Sequence, residues 1–315
     1  MSATITTPAP AEQVAKLHDA TPSFFGIVRG ELFKIRRQRT TWIMLVLLLG
    51  VMILPYIIEW TAPNVQGNIQ TDPLHFLYNV LSVGMSIVRV FTGIFLLVLT
   101  ARVIGLEYQL GTIRVLLSRG VGRLQLLSAK LFTVAVIALV LLVVGIALSY
   151  LLTVILVAGV TGNLNAFSAL NSTFWSDAGT YILTILVNMG VTILLATAAA
   201  VVGRSLAFGL SAALIFFPID NIGTVIMELA YRVTHNNFWL DLTAYFLGPN
   251  LNTMPVPLTS GRVLAIGQAP LYFADQAGQH GIQVDGTHTL VVALVYAIIF
   301  AAVAIVLTRQ RDVLE

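Results

Sequence analysis

The chain has 315 residues, of which 57% are hydrophobic and only 10% are charged, and its mean hydropathy is +0.90. Average soluble domains carry about 25% charged residues, so this composition excludes a soluble enzyme with a polar exterior. Cysteine is absent, which excludes disulfides, thiolate metal sites and cysteine nucleophiles, and the net charge of +3 is too small to indicate a partner by itself.

The amino-terminal part of the chain contains two distinct segments. Residues 1–22 are rich in Thr, Ala and Pro, and no apolar run early enough for a secretory signal follows them, so we expect a flexible cytoplasmic tail. Residues 23–39 combine basic side chains with apolar ones at helical spacing, namely Phe24, Val28, Leu32 and Ile35. This pattern predicts an amphipathic helix along the inner membrane surface, although an unstructured basic run on anionic lipid would also explain the charges.

The remaining residues, 40–315, contain six apolar segments, each with the roughly 20 residues that a bilayer crossing requires. We predict an all-α membrane protein whose six transmembrane helices cover about 42–60, 80–101, 131–157, 180–203, 206–230 and 288–308. The third segment is longer than necessary and should tilt or protrude. The fifth contains Pro218 and should be kinked or interrupted there.

The basic residues fix the orientation of these helices. Fourteen of the 17 Lys and Arg residues lie before the first span, between the second and third, in the turn between the fourth and fifth, or after the sixth. Segments 61–79 and 158–179 contain no Lys or Arg. The positive-inside rule therefore places both termini in the cytoplasm.

Two loops are long enough to have a structure of their own. The cytoplasmic loop 102–130 is basic and rich in leucine, which predicts either a helix that docks on a soluble partner or a second interfacial helix on lipid headgroups. The external segment 231–287 contains four prolines and several glycines. We predict that it forms a cap of short helices and loops over the outer end of the bundle, between the fifth and sixth helices.

The sequence has no catalytic motif from which an enzyme could be argued. None of its three lysines lies in a phosphate-binding loop, so the chain does not bind ATP by that route. Acidic residues and histidines cluster before the sixth span but match no tight metal motif, so we predict no metal site; these residues are Asp275, His280, Asp285 and His288. The basic residues lie at membrane edges without interleaved stacking aromatics, so we predict no nucleic-acid binding.

Arg89, Asn188 and Asp220 fall well inside the predicted spans, where an ionisable group is costly and requires a partner or a role. At 1.5 Å per residue, Arg89 lies about 20 Å above the inner membrane edge, and Asn188 and Asp220 lie about 24 Å above it. We predict an intramembrane polar cluster in which Arg89 pairs with Asp220 while Asn188 hydrogen-bonds nearby. Alternatively, Arg89 extends to the outer headgroups and Asp220 caps a helix that is kinked after Pro218.

A series of motifs along the chain is similar to the motifs of a known protein family. A basic helix with Glu31, Lys34 and Arg39 runs into Trp42. The second span then ends in GLEY (105–108), followed by GTIR (111–114), LSRGVGR (117–123) and Lys130, and the chain closes with RQRD (309–312). This pattern, from about residue 24 to 312, resembles the permease subunit of a type-2 ABC exporter, in the branch that handles drugs, antibiotic peptides or sodium.

The resemblance implies a multi-pass permease of a prokaryotic cell membrane that exports an apolar or amphipathic cargo and dimerises, in our expectation as a homodimer. A separate ABC ATP-binding subunit would hold ATP and Mg²⁺, and this chain would carry no cofactor. The resemblance also implies a coupling helix within 107–123 and a second ATPase contact at the turn after the fourth span. The ATPase-coupling residues would be Glu107, Arg114, Arg119, Arg123 and Arg204, although each arginine could equally serve membrane topology.

Two other classes of function remain open at this point. A self-sufficient secondary transporter or channel could use Arg89 and Asp220 as an ion or proton site, although such proteins usually have more intramembrane charges and broken helices in paired positions. The other class is a membrane scaffold that transports nothing.

Overall fold

The computed structural model describes residues 23–264, 282 and 284–310. In chain order its helices are α1 (Phe24–Arg37), α2 (Arg39–Trp60), α3 (Val65–Thr71), α4 (Pro73–Gln109), α5 (Thr112–Ser118), α6 (Arg123–Thr161), a 3₁₀ turn (Asn165–Ala169), α7 (Ser172–Gly203), α8 (Leu206–Thr234), α9 (Phe238–Thr243), α10 (Leu247–Thr253), α11 (Pro255–Leu258) and α12 (Gly286–Gln310). Among the described residues six of these, α2, α4, α6, α7, α8 and α12, are long and apolar enough to span a membrane. The predicted six-helix fold class is confirmed.

Some of the residues named in the sequence predictions are not among those that the structure describes. The tail 1–22, Asp275 and His280 of the rejected metal cluster, and Arg311 in the closing motif lie outside the described residues.

Four of the spanning helices begin at side-chain caps, which satisfy amides that the first helical turn leaves without a partner. In each cap the residue before the helix accepts from an amide three residues later: Asp72 from His75 (3.1 Å), Asn171 from Phe174 (2.9 Å), Ser205 from Phe208 (3.1 Å) and Asp285 from His288 (2.6 Å). Helices α4 and α6 have 37 and 39 residues. At 1.5 Å per residue both are about 55 to 60 Å long, so each projects beyond the bilayer.

The centre of the bundle is formed by α4 and α7. About two-thirds of the most apolar stretch of each of these two helices is buried, whereas α2, α8 and α12 bury less than a fifth of theirs. Where α7 meets α8 the helices approach closely, since a Cβ atom at Gly209 would lie 2.8 Å from the Cα atom of Ala200. Three spanning helices therefore present most of their apolar surface outward, as a membrane requires.

The amphipathic helix predicted at the inner surface is α1. Two residues of its apolar stripe, Val28 and Ile35, are buried, and Phe24 stacks edge-on against Phe132 of α6 with ring centroids 5.9 Å apart. Phe25, on another face, is 72% exposed. The apolar stripe therefore packs on α6 rather than on lipid.

Short helices α9, α10 and α11 occupy the first part of the predicted cap between the fifth and sixth spans. Helix α10 packs between α8 and α12, and Leu247, Asn250 and Leu251 are almost completely buried. This burial exceeds what a cap resting on the outer surface would give. The chain re-enters the bundle at α10 and reaches side chains of the membrane-spanning helices.

Candidate functional site

The loop between α4 and α6, predicted to be cytoplasmic, contains the short helix α5. Gly111 (φ +67°) and Gly120 (φ +82°) turn the chain at its two ends with backbone angles that favour glycine. No residue of α5 is buried. Arg114 and Arg119 are exposed, and the apolar side chain of Val115 is 52% exposed. The predicted coupling loop thus presents a small surface of mixed charge and hydrophobicity.

The turn between α7 and α8 lies directly beside the end of α4. Arg204 has a left-handed backbone (φ +47°) and is half-buried. The amide of Leu206 donates to Gln109 Oε1 (3.3 Å), and a Cβ atom at Gly105 would lie 2.9 Å from the Cα atom of Leu206. The two predicted ATPase contacts therefore share one packed junction at the end of α4.

Arg123, at the start of α6, differs from the arginines around α5. Its Nη1 donates to the carbonyl of Arg309 at the end of α12 (3.2 Å), and its side chain is half-buried. The structure thus ties this residue to the sixth span.

Four charged side chains form a closed ring beneath the loop, which we call the ion ring: Glu31 and Lys34 of α1, Glu107 of α4 and Lys130 of α6. Lys34 contacts Glu31 (2.6 Å) and Glu107 (2.8 Å). Lys130 contacts Glu31 (3.3 Å) and Glu107 (3.0 Å), and its Nζ also donates to the Val103 carbonyl (2.8 Å). Acid and base alternate around the ring, which joins three helices.

The members of the ion ring differ in their exposure. The side chains of Lys130 and Glu31 are 4% and 5% exposed and that of Glu107 is 12% exposed, whereas that of Lys34 is 49% exposed. Glu107, predicted as a docking contact, is therefore mostly enclosed by the protein's own lysines.

The partners of Lys34 in the ion ring favour its charged form. Burial alone would lower the pKa of Lys34, but hydrogen bonds from its ammonium to Glu107 and Glu31 raise it above the ordinary 10.5. The stabilisation from this group is complete below pH 10.5 and is lost only as the pH rises through the raised pKa. Lys34 therefore stays charged at physiological pH.

Arg89 and Asp220 meet the same short helix inside the membrane. Arg89 is 1% exposed, and its Nη1 donates to the carbonyl of Leu251 in α10. Asp220 of α8 accepts from the amide of Gly248, in the first turn of α10. A carboxylate at the amino end and a guanidinium at the carboxyl end complement the helix dipole. The structure thus joins these two side chains through α10 rather than to each other.

The third member of the predicted cluster, Asn188, lines a cavity of about 420 Å³ together with Arg89. Asn221 and Asn252 line it as well, and Asn252 Nδ2 donates to Asn221 Oδ1 (3.2 Å). A carboxylate oxygen of Asp220 instead faces α10. The structure therefore brings Arg89 and Asn188 to one cavity at membrane depth, whose lining is mostly apolar apart from these few polar side chains.

Asp177 is a further buried acidic residue, 4% exposed, that was not among the predicted site residues. Its carboxylate accepts from the Tyr78 hydroxyl (2.8 Å) and from the amide (2.9 Å) and hydroxyl of Ser260. Asp177 thus fixes the end of the re-entrant segment to α4 and α7. Its position only five residues into α7 made it resemble an ordinary interfacial residue, and no spacing in the sequence relates it to Ser260.

The fold defines a multi-pass helical membrane protein with a short exposed helix between two of its spanning helices and a cavity within the bundle. A family profile described as ABC-2 family transporter protein matches residues 27–221, from α1 to the middle of α8 and over more than half of the chain. The chain belongs to this family and is a permease of an ABC transporter, and membership implies an ATP-binding partner subunit. A search of curated proteins finds no significant match.

Proposed function

We propose that this chain is the permease subunit of an ATP-driven exporter of the cell membrane, powered by a separate ATP-binding subunit that holds ATP and Mg²⁺ and docks on α5. The observation that carries the proposal is a helix without a buried residue, held between two long spanning helices. Helices in proteins are stabilised mostly by burying one face, which α5 does not do alone. A partner surface would supply that burial.

The residues around α5 suit a protein interface. Exposed arginines lie next to exposed apolar side chains, with Leu110 65% and Val115 52% exposed. Arginine and large apolar residues are enriched in the cores of protein interfaces. We propose that Arg114 and Arg119 contact acidic groups of the ATPase directly and that Arg204 forms a smaller second contact.

The ion ring offers a path for the mechanical signal. A displacement of α5 moves the ends of α4 and α6 to which it is joined, and the ring adds α1 through Glu31 and Lys34. Rigid helices that move together convert a local push into a rearrangement of the spans. In this proposal Glu107 acts through the ring, and Arg123 acts through its bond to the end of α12.

The cargo in this proposal is apolar or amphipathic and leaves the cytoplasm or the inner leaflet. The cavity beside Arg89 and Asn188, whose wall is mostly apolar with a few polar side chains, provides space for such a molecule within the bundle. A second copy of the chain would complete the transporter. The outward apolar faces of α2 and α8, which bury 17% and 11% of their most apolar stretches, leave room for that copy as well as for lipid.

The proposal is tested by purifying the tagged chain from its native membrane and assaying the eluate for ATPase activity. We expect a subunit with a phosphate-binding loop to co-purify with the wild type and to be lost from Arg114→Glu/Arg119→Glu. The matched control is Arg29→Glu/Arg36→Glu, which reverses two exposed arginines of α1 and should retain the subunit. A chain that purifies alone and moves ions in liposomes would instead establish a secondary transporter.

A further inference from the structure

A second pocket lies apart from the cavity that Arg89 and Asn188 line, and it shares none of that cavity's residues. Its volume is about 270 Å³, and it is enclosed by α2, α4, α6, α7 and the 3₁₀ turn. The lining residues that matter here are Leu77, Met85, Tyr150, Phe167, Gly179 and Ile182. The part of the chain matched to the transporter family contains this pocket, but nothing in the proposed transport cycle uses it.

In the orientation that the positive-inside rule predicts, the helix register places this pocket toward the outer leaflet. Leu77 and Met85 lie about 6 and 18 Å below the outer start of α4, at 1.5 Å per residue. Gly179 lies about 10 Å below the outer start of α7 by the same measure. Phe167, from the 3₁₀ turn outside the spans, lines its outer end. The pocket therefore runs along the outer leaflet, and Phe167 covers its outer end.

The pocket opens sideways between α6 and α7. Gly179 is exposed, and a Cβ atom built on it would have no neighbour within 4 Å, so this residue leaves a gap in the wall. Tyr150 and Trp175 stand beside the gap and are 60% and 58% exposed. Trp and Tyr are enriched at the level of lipid headgroups. The opening thus faces the lipid.

The wall of the pocket demands an apolar occupant. The hydroxyls of Tyr56 and Thr153 both donate to the carbonyl of Ser149, at 3.2 and 2.8 Å, so the wall uses these donors internally. Most of the remaining lining is hydrocarbon or aromatic ring. An apolar space open to lipid loses dispersion contacts if it stays empty and regains them when a chain enters.

We propose that this pocket binds an acyl chain of an outer-leaflet phospholipid, with the lipid headgroup level with Trp175 and Tyr150. The lateral opening at Gly179 admits a chain directly from the bilayer, without passage through the cavity beside Arg89. The site is independent of what the protein transports, and it would tie a lipid to the helices α4 and α7 at the centre of the bundle.

The test uses the full chain reconstituted in vesicles of phosphatidylcholine that carries a photoactivatable diazirine in its acyl chain. After irradiation, mass spectrometry maps the labelled residues. We expect label on Met85, which is 5% exposed and lines the pocket, as well as on the outward-facing Val143. Gly179→Trp fills the gap and should lose the Met85 label while Val143 stays labelled.

The matched control is Gly190→Trp, which places the same side chain on the same face of α7 about 16 Å deeper, where a Cβ atom also meets nothing within 4 Å. It should keep the Met85 label. Wild-type label confined to outward-facing residues would overturn the proposal even if Gly179→Trp failed to fold. An unchanged Met85 label in Gly179→Trp would also overturn the proposal. Removal of the Met85 label by a soluble amphipathic dye would overturn it as well, because the pocket would then be a cargo site.

Discussion

The guanidinium of Arg89 donates to the carbonyl of Leu251, the carbonyl that lies four residues before Pro255. In a continuous helix that carbonyl would accept from the amide of residue 255, but proline has none. Met254 keeps helical backbone angles (φ −43°, ψ −41°), so the chain follows a helical path across this break from α10 into α11. A buried arginine thus supplies the hydrogen bond that the proline removes.

This relationship predicts a rescue. Arg89→Met leaves a buried carbonyl without its donor, which should lower the free energy of unfolding by about 1–3 kcal/mol. Adding Pro255→Ala supplies a backbone amide to Leu251 and should restore part of the loss. Pro255→Ala alone is the control. Thermal unfolding of the purified chain in detergent measures all three variants, and a double variant no more stable than Arg89→Met would contradict the assignment.

A second prediction concerns Arg89 and Asp220 as a pair. If they bound each other, exchanging them would restore what either single change loses. Because each binds the backbone of α10, the double variant Arg89→Asp/Asp220→Arg should stay as impaired as the single ones, with a carboxylate facing the Leu251 carbonyl and a guanidinium facing the Gly248 amide. ATPase activity of the complex and thermal unfolding provide the measurements. Recovery in the double variant would establish a direct pair.

The sequence was sufficient to predict the six membrane spans because a stretch of about 20 apolar residues is a strong local signal. It was less informative about where helices end. The second span was predicted at 80–101, whereas α4 runs over Pro73–Gln109. The added turns at each end contain polar residues such as His75 and Glu107, so hydropathy falls there while the helix continues. Caps and tertiary contacts, which are not periodic, determine the actual ends.

The candidate site shows the same limit. The level of Arg89 in the membrane followed from counting residues, but its partner is a main-chain carbonyl in a re-entrant segment that no spacing could place. In the ion ring, the i,i+3 spacing of Glu31 and Lys34 is visible in the sequence. Their contacts with Glu107 and Lys130 arise only when α1, α4 and α6 pack together.

The third prediction uses the ion ring. Lys130→Met leaves Glu31 and Glu107 buried with one lysine between them, which should cost about 3–5 kcal/mol because a broken buried pair leaves an uncompensated charge. Adding Glu31→Gln leaves Lys34 and Glu107 as a neutral pair and should recover much of that cost. Unfolding by denaturant in mixed micelles measures the coupling.

The control for the ion ring is Lys34→Met. The Lys34 side chain is 49% exposed, so its charge is screened by solvent and its removal should cost about 1 kcal/mol or less. Equal losses in Lys130→Met and Lys34→Met, or additive losses in the double variant with Glu31→Gln, would show that the ring does not act as one network.

The last prediction concerns the junction between the two predicted ATPase contacts. A Cβ atom at Gly105 would lie 2.9 Å from the Cα atom of Leu206 and 3.0 Å from the Ser205 carbonyl oxygen, so Gly105→Val must push the turn at Arg204 away from α4. Overpacking of this kind should cost about 1–3 kcal/mol. Gly190→Val, in open space on α7, controls for the residue type. We expect only Gly105→Val to lower both the unfolding temperature and the ATPase activity that co-purifies with the chain. If the ATPase subunit still binds Gly105→Val but hydrolyses ATP independently of the permease, the coupling lies at this junction. If the ATPase activity of Gly105→Val is unchanged, the turn at Arg204 is not part of the coupling path.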